Sequence, residues 1–165
     1  MSNGIKVKKR DGRIESLNLE KMHLMVDEAC KGLSGVSASQ IEINSGIQFY
    51  DGITTEEIQN ILIKSASDLI DLENPNYQFA SSRLLLFALR KKLYGKMWEF
   101  PHLRDHIINC VNIQVYDAEI FNKYSLEEIE KANGWIDHDR DMLFTYAGLR
   151  QVVDKYLVQD RSSTQ

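Results

Sequence analysis

The sequence predicts a mainly α protein of the α+β kind, opened by one small β element. Three observations carry this. Asp11-Gly12 sits between two short polar segments and marks a tight hairpin. Helix-start signatures then recur along the chain, each followed by apolar residues at helical spacing. Finally, an 18-residue stretch from Tyr77 to Tyr94 is bounded by Asn74-Pro75-Asn76 and Gly95, and reads as one long helix.

The hairpin pairs Ile5–Lys9 with Arg13–Leu17 across Arg10-Asp11-Gly12. Its strands are short and polar, so it must lean on another element to persist. Asn18 caps the first helix, which runs to about Lys31. Leu17 and Met22 stand as a hydrophobic staple; Met22, Met25, Val26 and Ala29 form its apolar face, and Gly32 and Gly35 end it. Ser37 and Gln40 read as a capping box for a second helix, with Ile41, Ile47 and Phe49 as apolar positions and a stop near Asp51-Gly52. Thr54 and Glu57 make another box. The stripe Ile58, Ile61, Leu62, Ser65, Leu69 and Ile70 comes next. The long helix places Ala80, Leu84, Phe87, Ala88 and Lys91 on one side. Residues 96–100, with Trp98 and Phe100 ahead of Pro101, read as a junction, so the chain divides into 1–95 and 96–165. Beyond it lie three helical stretches: His102–Ile113, Ser125 to about Asn133 with Ser125 and Glu128 as its box, and Asp141 to about Leu157. Asp160–Gln165 is polar and expected to fray.

Composition narrows the function classes. The chain has 165 residues, 24 acidic against 20 basic, a formal net charge of −4, 43% hydrophobic, 27% charged and 9% aromatic residues. A folded chain of this length buries roughly 70% of its unfolded surface, enough for a core. This apolar content argues against disorder. The strongly apolar run Leu84–Leu89 is about a third of the ~20 residues a membrane span needs. Met1-Ser-Asn-Gly carries no apolar signal region, and two separated cysteines, Cys30 and Cys110, without a CxxC, fit a reducing compartment. The expectation is a cytoplasmic protein with neither a membrane nor a nucleic acid as partner, since the mild acidity lacks the basic excess of a nucleic-acid binder.

Signals for catalysis are weak. His102 and His106 have a two-ligand metal spacing, but no third ligand or HExxH accompanies them, and a solvated face outweighs the metal. His138 lies among Asp137, Asp139, Arg140 and Asp141; a helix N-terminus favouring acids explains this better than acid–base work. Cys30 and Cys110 read as structural thiols. The basic cluster is more informative. Lys9 and Arg10 at the hairpin turn, the helix N-terminus at Asn18, and Lys21 can converge on one anion, and Arg90, Lys91 and Lys92 can reach the same place in an antiparallel bundle. By pattern alone, a solvated charged hairpin stands equal to an anion site.

Val7-Lys-Lys-Arg-Asp-Gly12, Glu15 through Lys21, Tyr50-Asp-Gly-Ile-Thr-Thr55, Tyr77-Gln and Ala88-Leu-Arg-Lys91 together resemble an ATP-cone, the regulatory nucleotide-binding domain of many ribonucleotide reductases. His138-Asp-Arg-Asp-Met142, Phe144-Thr-Tyr-Ala147 and Lys155-Tyr-Leu-Val158 resemble the segment just after the cone in the large (alpha) subunit of class I ribonucleoside-diphosphate reductase, of bacterial and T4-like phage type. The resemblance implies a β-hairpin lid on a four-helix cone (1–95), then a helical segment of the catalytic domain truncated before the barrel (96–165). It implies ATP or dATP as allosteric effector, with Mg, in thioredoxin-dependent deoxyribonucleotide synthesis. Lys9, Arg10, Lys21 and Lys91 would face the phosphates. Val7 and the stretch Glu15, Ser16, Leu17, Asn18, Leu19, Glu20, Lys21 would contact the nucleotide, with Glu15 and Asn18 at base or sugar, and Thr55 would add a further contact. Gln59 stands where bacterial members carry a histidine, and cannot become cationic.

The implied partners are the remainder of the large subunit and the small, radical-generating subunit, in an oligomer. Neither cysteine matches the family's catalytic cysteines, so ribonucleotide reduction by this chain alone is not expected. The alternative is a free-standing ATP-cone protein that complements or regulates a separately encoded reductase subunit. The zinc-ribbon repressor form of that alternative lacks its CxxC pairs here.

Overall fold

The computed structural model describes residues 4–158; the expected fraying of Asp160–Gln165 lies outside them. Strand β1 (Lys6–Lys8) pairs antiparallel with β2 (Ile14–Ser16), with Val7 opposite Glu15. The Lys9 N–H donates to the Arg13 carbonyl at 2.8 Å and the Gly12 N–H to the Lys9 carbonyl at 3.0 Å, which closes the turn. Gly12 has φ +84°, a region open to glycine at little cost. The support this hairpin needs comes from a third strand, β3 (Ile53–Thr54), parallel to β1, in the order β2-β1-β3. Asp51 Oδ1 accepts from the Lys6 N–H at 2.8 Å and the Gly52 N–H donates to the Lys6 carbonyl at 2.9 Å, so β1 is flanked on both edges. Val7 and Ile53 project into the core.

Helices α1 (Leu19–Cys30), α2 (Ala38–Gly46), α3 (Thr55–Asp68) and α4 (Tyr77–Tyr94) build the body under the hairpin. Three caps form: Asn18 Oδ1 accepts from the Lys21 N–H, Ser37 Oγ from the Gln40 N–H, and Thr54 and Glu57 close a reciprocal box. Tyr50 adds its hydroxyl to Glu57 at 2.7 Å, and these donors hold the Glu57 carboxyl below its ordinary pKa. Thr54→Ala is expected to lower stability by about 1 kcal/mol, read as a shift in the urea midpoint.

α4 is the central element. It packs on α1 and α3, and its first half is small on the buried side (Ala80, Ser81, Ser82), so the helices approach closely. Ser81 Oγ donates to the Ile63 carbonyl at 3.1 Å, and Tyr77 Oη accepts from the Ser37 N–H at 3.0 Å. Phe87 fills the centre with Val26, Ile41 and Leu62. Gly95, at φ +74°, closes α4.

Two helix boundaries differ from the sequence expectation. α2 stops at Gly46, not near Asp51, and Ile47 is 81% exposed. The Gln48 and Phe49 N–H groups bond back to Ser45 and Gly46, so the chain turns there to deliver Phe49 to the core and Asp51-Gly52 to β1. The Ser37 cap is also one-sided, because only its acceptor half forms. The helix expected over Asp141–Leu157 is two pieces. His138–Leu143 is a 3-10 turn; Phe144 and Thr145 are extended; α8 is Tyr146–Gln151, continued by a π turn, Val152–Tyr156. Thr145 Oγ1 accepts from the Gly148 N–H at 3.2 Å and sets the later start.

After α4 the chain folds back, and Trp98 meets Phe87 edge-on at 4.9 Å. α5 (Leu103–Asn112) and α7 (Leu126–Asn133) pack together, joined by the Leu103 N–H to Asn133 Oδ1 bond at 2.9 Å, with the single turn α6 (Ile120–Lys123), which carries no periodic signal, between them. α8 lies on α4, and Leu149 joins the same buried cluster as Phe87. Among the described residues, no helix is long and apolar enough to cross a membrane.

Candidate functional site

The hairpin tip, the first turn of α1 and the last turn of α4 meet at one end of the bundle, and the second turn of α3 reaches them through Gln59. Lys91 records the meeting. Burial and then the charges of Arg10, Lys9 and Lys21 push its pKa down from the ordinary 10.5. Four cations from three separate segments therefore share one field. Arg10 spans the site: Nη1 donates to the Lys91 carbonyl at 2.9 Å and Nη2 to Gln59 Oε1 at 3.5 Å. A helix C-terminal carbonyl carries partial negative charge, which suits a guanidinium. Gln59, on the second turn of α3, is 7% exposed.

Negative charge in the cluster is sparse. Glu15 takes Lys9 at 3.4 Å and Arg13 at 3.2 Å, while Arg13 also grips Asp11 at 2.7 Å and holds that carboxyl below its ordinary range. Among the described residues, no carboxylate lies within ion-pair distance of Arg10, Lys21 or Lys91. Cations gathered from distant segments near a helix N-terminus, three of them without a carboxylate partner, are an arrangement that can hold an anion.

Thr55 starts α3, one turn before Gln59, and Asn18 uses its side-chain oxygen as the α1 cap. Val7 lies under the hairpin in the core, and Ser16 Oγ accepts from Lys6 Nζ at 3.3 Å. Leu17, Leu19 and Glu20 face a cavity of about 600 Å³ between hairpin, α1 and α2, lined also by Ile5, Met22 and Phe49. The run Leu17–Lys21 thus borders both the apolar cavity and the cation cluster.

Arg90 departs from the sequence expectation. It turns away from this site, is buried, and pairs with Asp141 at 2.8 Å, so the antiparallel reach holds for Lys91 and fails for Arg90. Sequence reasoning also missed the Arg10 bonds to Lys91 and Gln59, which join residues 81 and 49 positions apart.

The remaining candidates are spent structurally. His102 pairs with Glu130 at 3.1 Å, and His106 approaches Cys110 Sγ at 3.6 Å. His138 stacks on Phe100 at 3.6 Å. Burial raises the Cys30 thiol to about 11, unsuited to a nucleophile. Among the described residues, no group of three or more His, Cys, Asp or Glu is placed to hold a metal.

A hairpin laid over four helices, with cations gathered near its tip, defines a small helical domain with a candidate anion site at one end. The family model described as the ATP cone domain matches residues 5–92, and the chain belongs to that family. Along nearly its whole length the chain is also similar to the N-terminal region of ribonucleoside-diphosphate reductase alpha subunits. It is 47% identical over 161 residues to ribonucleoside-diphosphate reductase 1 subunit alpha of Escherichia coli (strain K12), covering 98% of this chain and 21% of that one. The alpha subunit of Haemophilus influenzae is 45% identical over 161 residues, with the same coverage. That of Enterobacteria phage T4 is 42% identical over 163 residues, covering 98% and 21%. The chain spans about a fifth of the length of these curated relatives.

Proposed function

We propose that this chain is the allosteric ATP- and dATP-binding region of a ribonucleotide reductase large subunit, serving deoxyribonucleotide synthesis from ribonucleoside diphosphates in the cytoplasm. The observation that carries the reading is the convergence of Lys9, Arg10, Lys21 and Lys91 with so little compensating charge. A triphosphate with Mg supplies the missing negative charge. The adjoining cavity beside Leu17, Met22 and Phe49 has the size and apolar lining that a base takes. On this reading Glu15, Asn18 and Thr55 would read base or sugar polar atoms, Leu19 and Glu20 would border the base, and Val7 and Ser16 would act by holding the hairpin in place.

Residues 1–95 form the nucleotide-binding unit, and residues 96–165 link it to the body of the enzyme. Regulation is a population shift: a nucleotide biases assembly by the difference in its affinity for two states. ATP and dATP differ by one hydroxyl, and a hydrogen bond of that kind contributes about 1 kcal/mol net. The switched element must therefore be finely balanced. Gln59, which holds Arg10, offers a neutral amide for that discrimination. Reduction itself is the work of the rest of the large subunit with the small subunit.

Trp135, Leu143, Tyr156 and Val158 are well-exposed apolar residues of the second segment. Exposed apolar surface on that scale suits contact with the remainder of the large subunit. The same surface serves the second reading, in which the remainder is a separate polypeptide completed in trans. Purification of the chain as a stable monomer that ignores a separately produced remainder counts against the second reading.

The test is titration calorimetry of the folded chain with ATP and then dATP in Mg-containing buffer. Micromolar binding supports the reading. No binding of either by a folded chain counts against it.

A further inference from the structure

α4 carries two arginines on faces turned from the candidate site, and both act as clamps. Arg83 Nη1 donates to the carbonyls of Ala29 (3.2 Å) and Lys31 (2.8 Å), and its Nε to that of Met142 (3.5 Å). Arg90, 4% exposed, donates to Asp141 Oδ2 at 2.8 Å and to the His138 carbonyl at 3.2 Å. Its guanidinium stands 4.6 Å from the centre of the Phe100 ring, which also stacks on His138. Asp141 also faces His138 Nδ1 at 3.7 Å.

The next residue is Lys91. Its carbonyl receives Arg10 and its ammonium faces Lys9, Arg10 and Lys21. α4 ends three residues later, and residues 91–96 keep exposed surface, Lys91 being partly desolvated where it meets the other cations. The last turn of a helix lacks onward hydrogen bonds and frays unless something holds it. Immediately before this turn stands the buried side chain of Arg90, fixed by a carboxylate, a carbonyl and a ring from two other segments.

We propose that Arg90, gripped by Asp141 and Phe100, is a positioning residue for the anion site: it pins the last turn of α4 so that the Lys91 ammonium and carbonyl stand where the phosphates and Arg10 require them. The inference rests on the nucleotide-binding function proposed for this site. It adds that the His138–Leu143 turn, outside the family-matched span, sets part of the site's affinity. A pre-ordered site binds more tightly, because less ordering remains for the ligand to impose. By linkage, a ligand that orders the last turn of α4 also tightens the grip on Asp141.

The test uses the full chain and ATP titration, with helicity checked by circular dichroism. Asp141→Ala is expected to weaken ATP binding about three- to tenfold, by loss of pre-organisation at a distance from the ligand. Asp141→Glu is expected to restore it to within about twofold of the parent. Asn133→Ala, which removes the α5–α7 bond without touching α4, is the control and is expected to leave affinity unchanged. If Asp141→Ala does not fold, Asp141→Asn, which keeps an acceptor without the charge, is read by the same criterion. Unchanged affinity in the Asp141 variant, or an equal loss in Asn133→Ala, overturns the proposal. A folded parent chain that binds no ATP overturns the nucleotide reading and this inference with it, whereas binding that ignores Asp141 overturns this inference alone.

Discussion

Phe87→Ala is expected to destabilise the chain by about 3–5 kcal/mol, the range for deleting a buried aromatic ring. The ring has no exposed surface, contacts the buried face of the four-helix body, and receives the edge of Trp98 at 4.9 Å. Its removal therefore leaves a cavity and strips the segment after α4 of its anchor. A domain of this size is stable by only about 5–15 kcal/mol, so the loss is a large fraction of the total. Urea unfolding monitored by circular dichroism measures the loss, and Trp98 fluorescence in a Trp135→Phe background reports whether the junction detaches first. A loss under about 1 kcal/mol would mean that the body repacks around the gap.

Lys91→Ala is expected to move binding and stability in opposite directions. If Lys91 pairs with phosphate, removing it weakens nucleotide binding by about 1–3 kcal/mol, the range for losing a hydrogen bond to a charged group. In the free chain the same ammonium is disfavoured by burial and by Arg10, Lys9 and Lys21. Its folded pKa lies below the unfolded value, so the unfolded chain binds more protons in the window between that lowered value and 10.5, and stability rises with pH across it. Lys91→Ala should lose that alkaline rise and be no less stable than the parent at neutral pH. Affinity by calorimetry and urea midpoints across the alkaline range test both halves. A variant that loses affinity and stability together would make Lys91 structural. Sites built from like charges commonly trade stability for function in this way.

Much of the fold was legible because its signals are local. Asn18, Thr54–Glu57 and Ser125–Glu128 each cap the helix their spacing announces, and the Asp11-Gly12 turn closes the hairpin. These features were readable because the atoms involved lie within a few residues of one another. β3 was not. Two residues carry no period, and Ile53–Thr54 is a strand only because β1 lies beside it. The early end of α2 and the break at Phe144-Thr145 escaped for the same reason, since apolar spacing continues through both while the chain turns to meet tertiary partners.

The candidate site divides along the same line. Local sequence settles which cations the chain owns, that Lys9 and Arg10 ride a hairpin tip, that Asn18 and Lys21 open a helix, and that Lys91 ends one. It also carries the ordered motifs that mark the ATP-cone family. Long-range packing decides that Lys91 faces the cluster while its neighbour Arg90 faces Asp141, that Arg10 reaches the Lys91 carbonyl and Gln59, and that Leu17 and Met22 open onto a cavity. Consecutive helical residues point about 100° apart. Which of two adjacent basic residues serves the site therefore depends on how the helix is rotated in the bundle, and that rotation is set by the packing of Phe87 and Leu84 on segments far away in sequence.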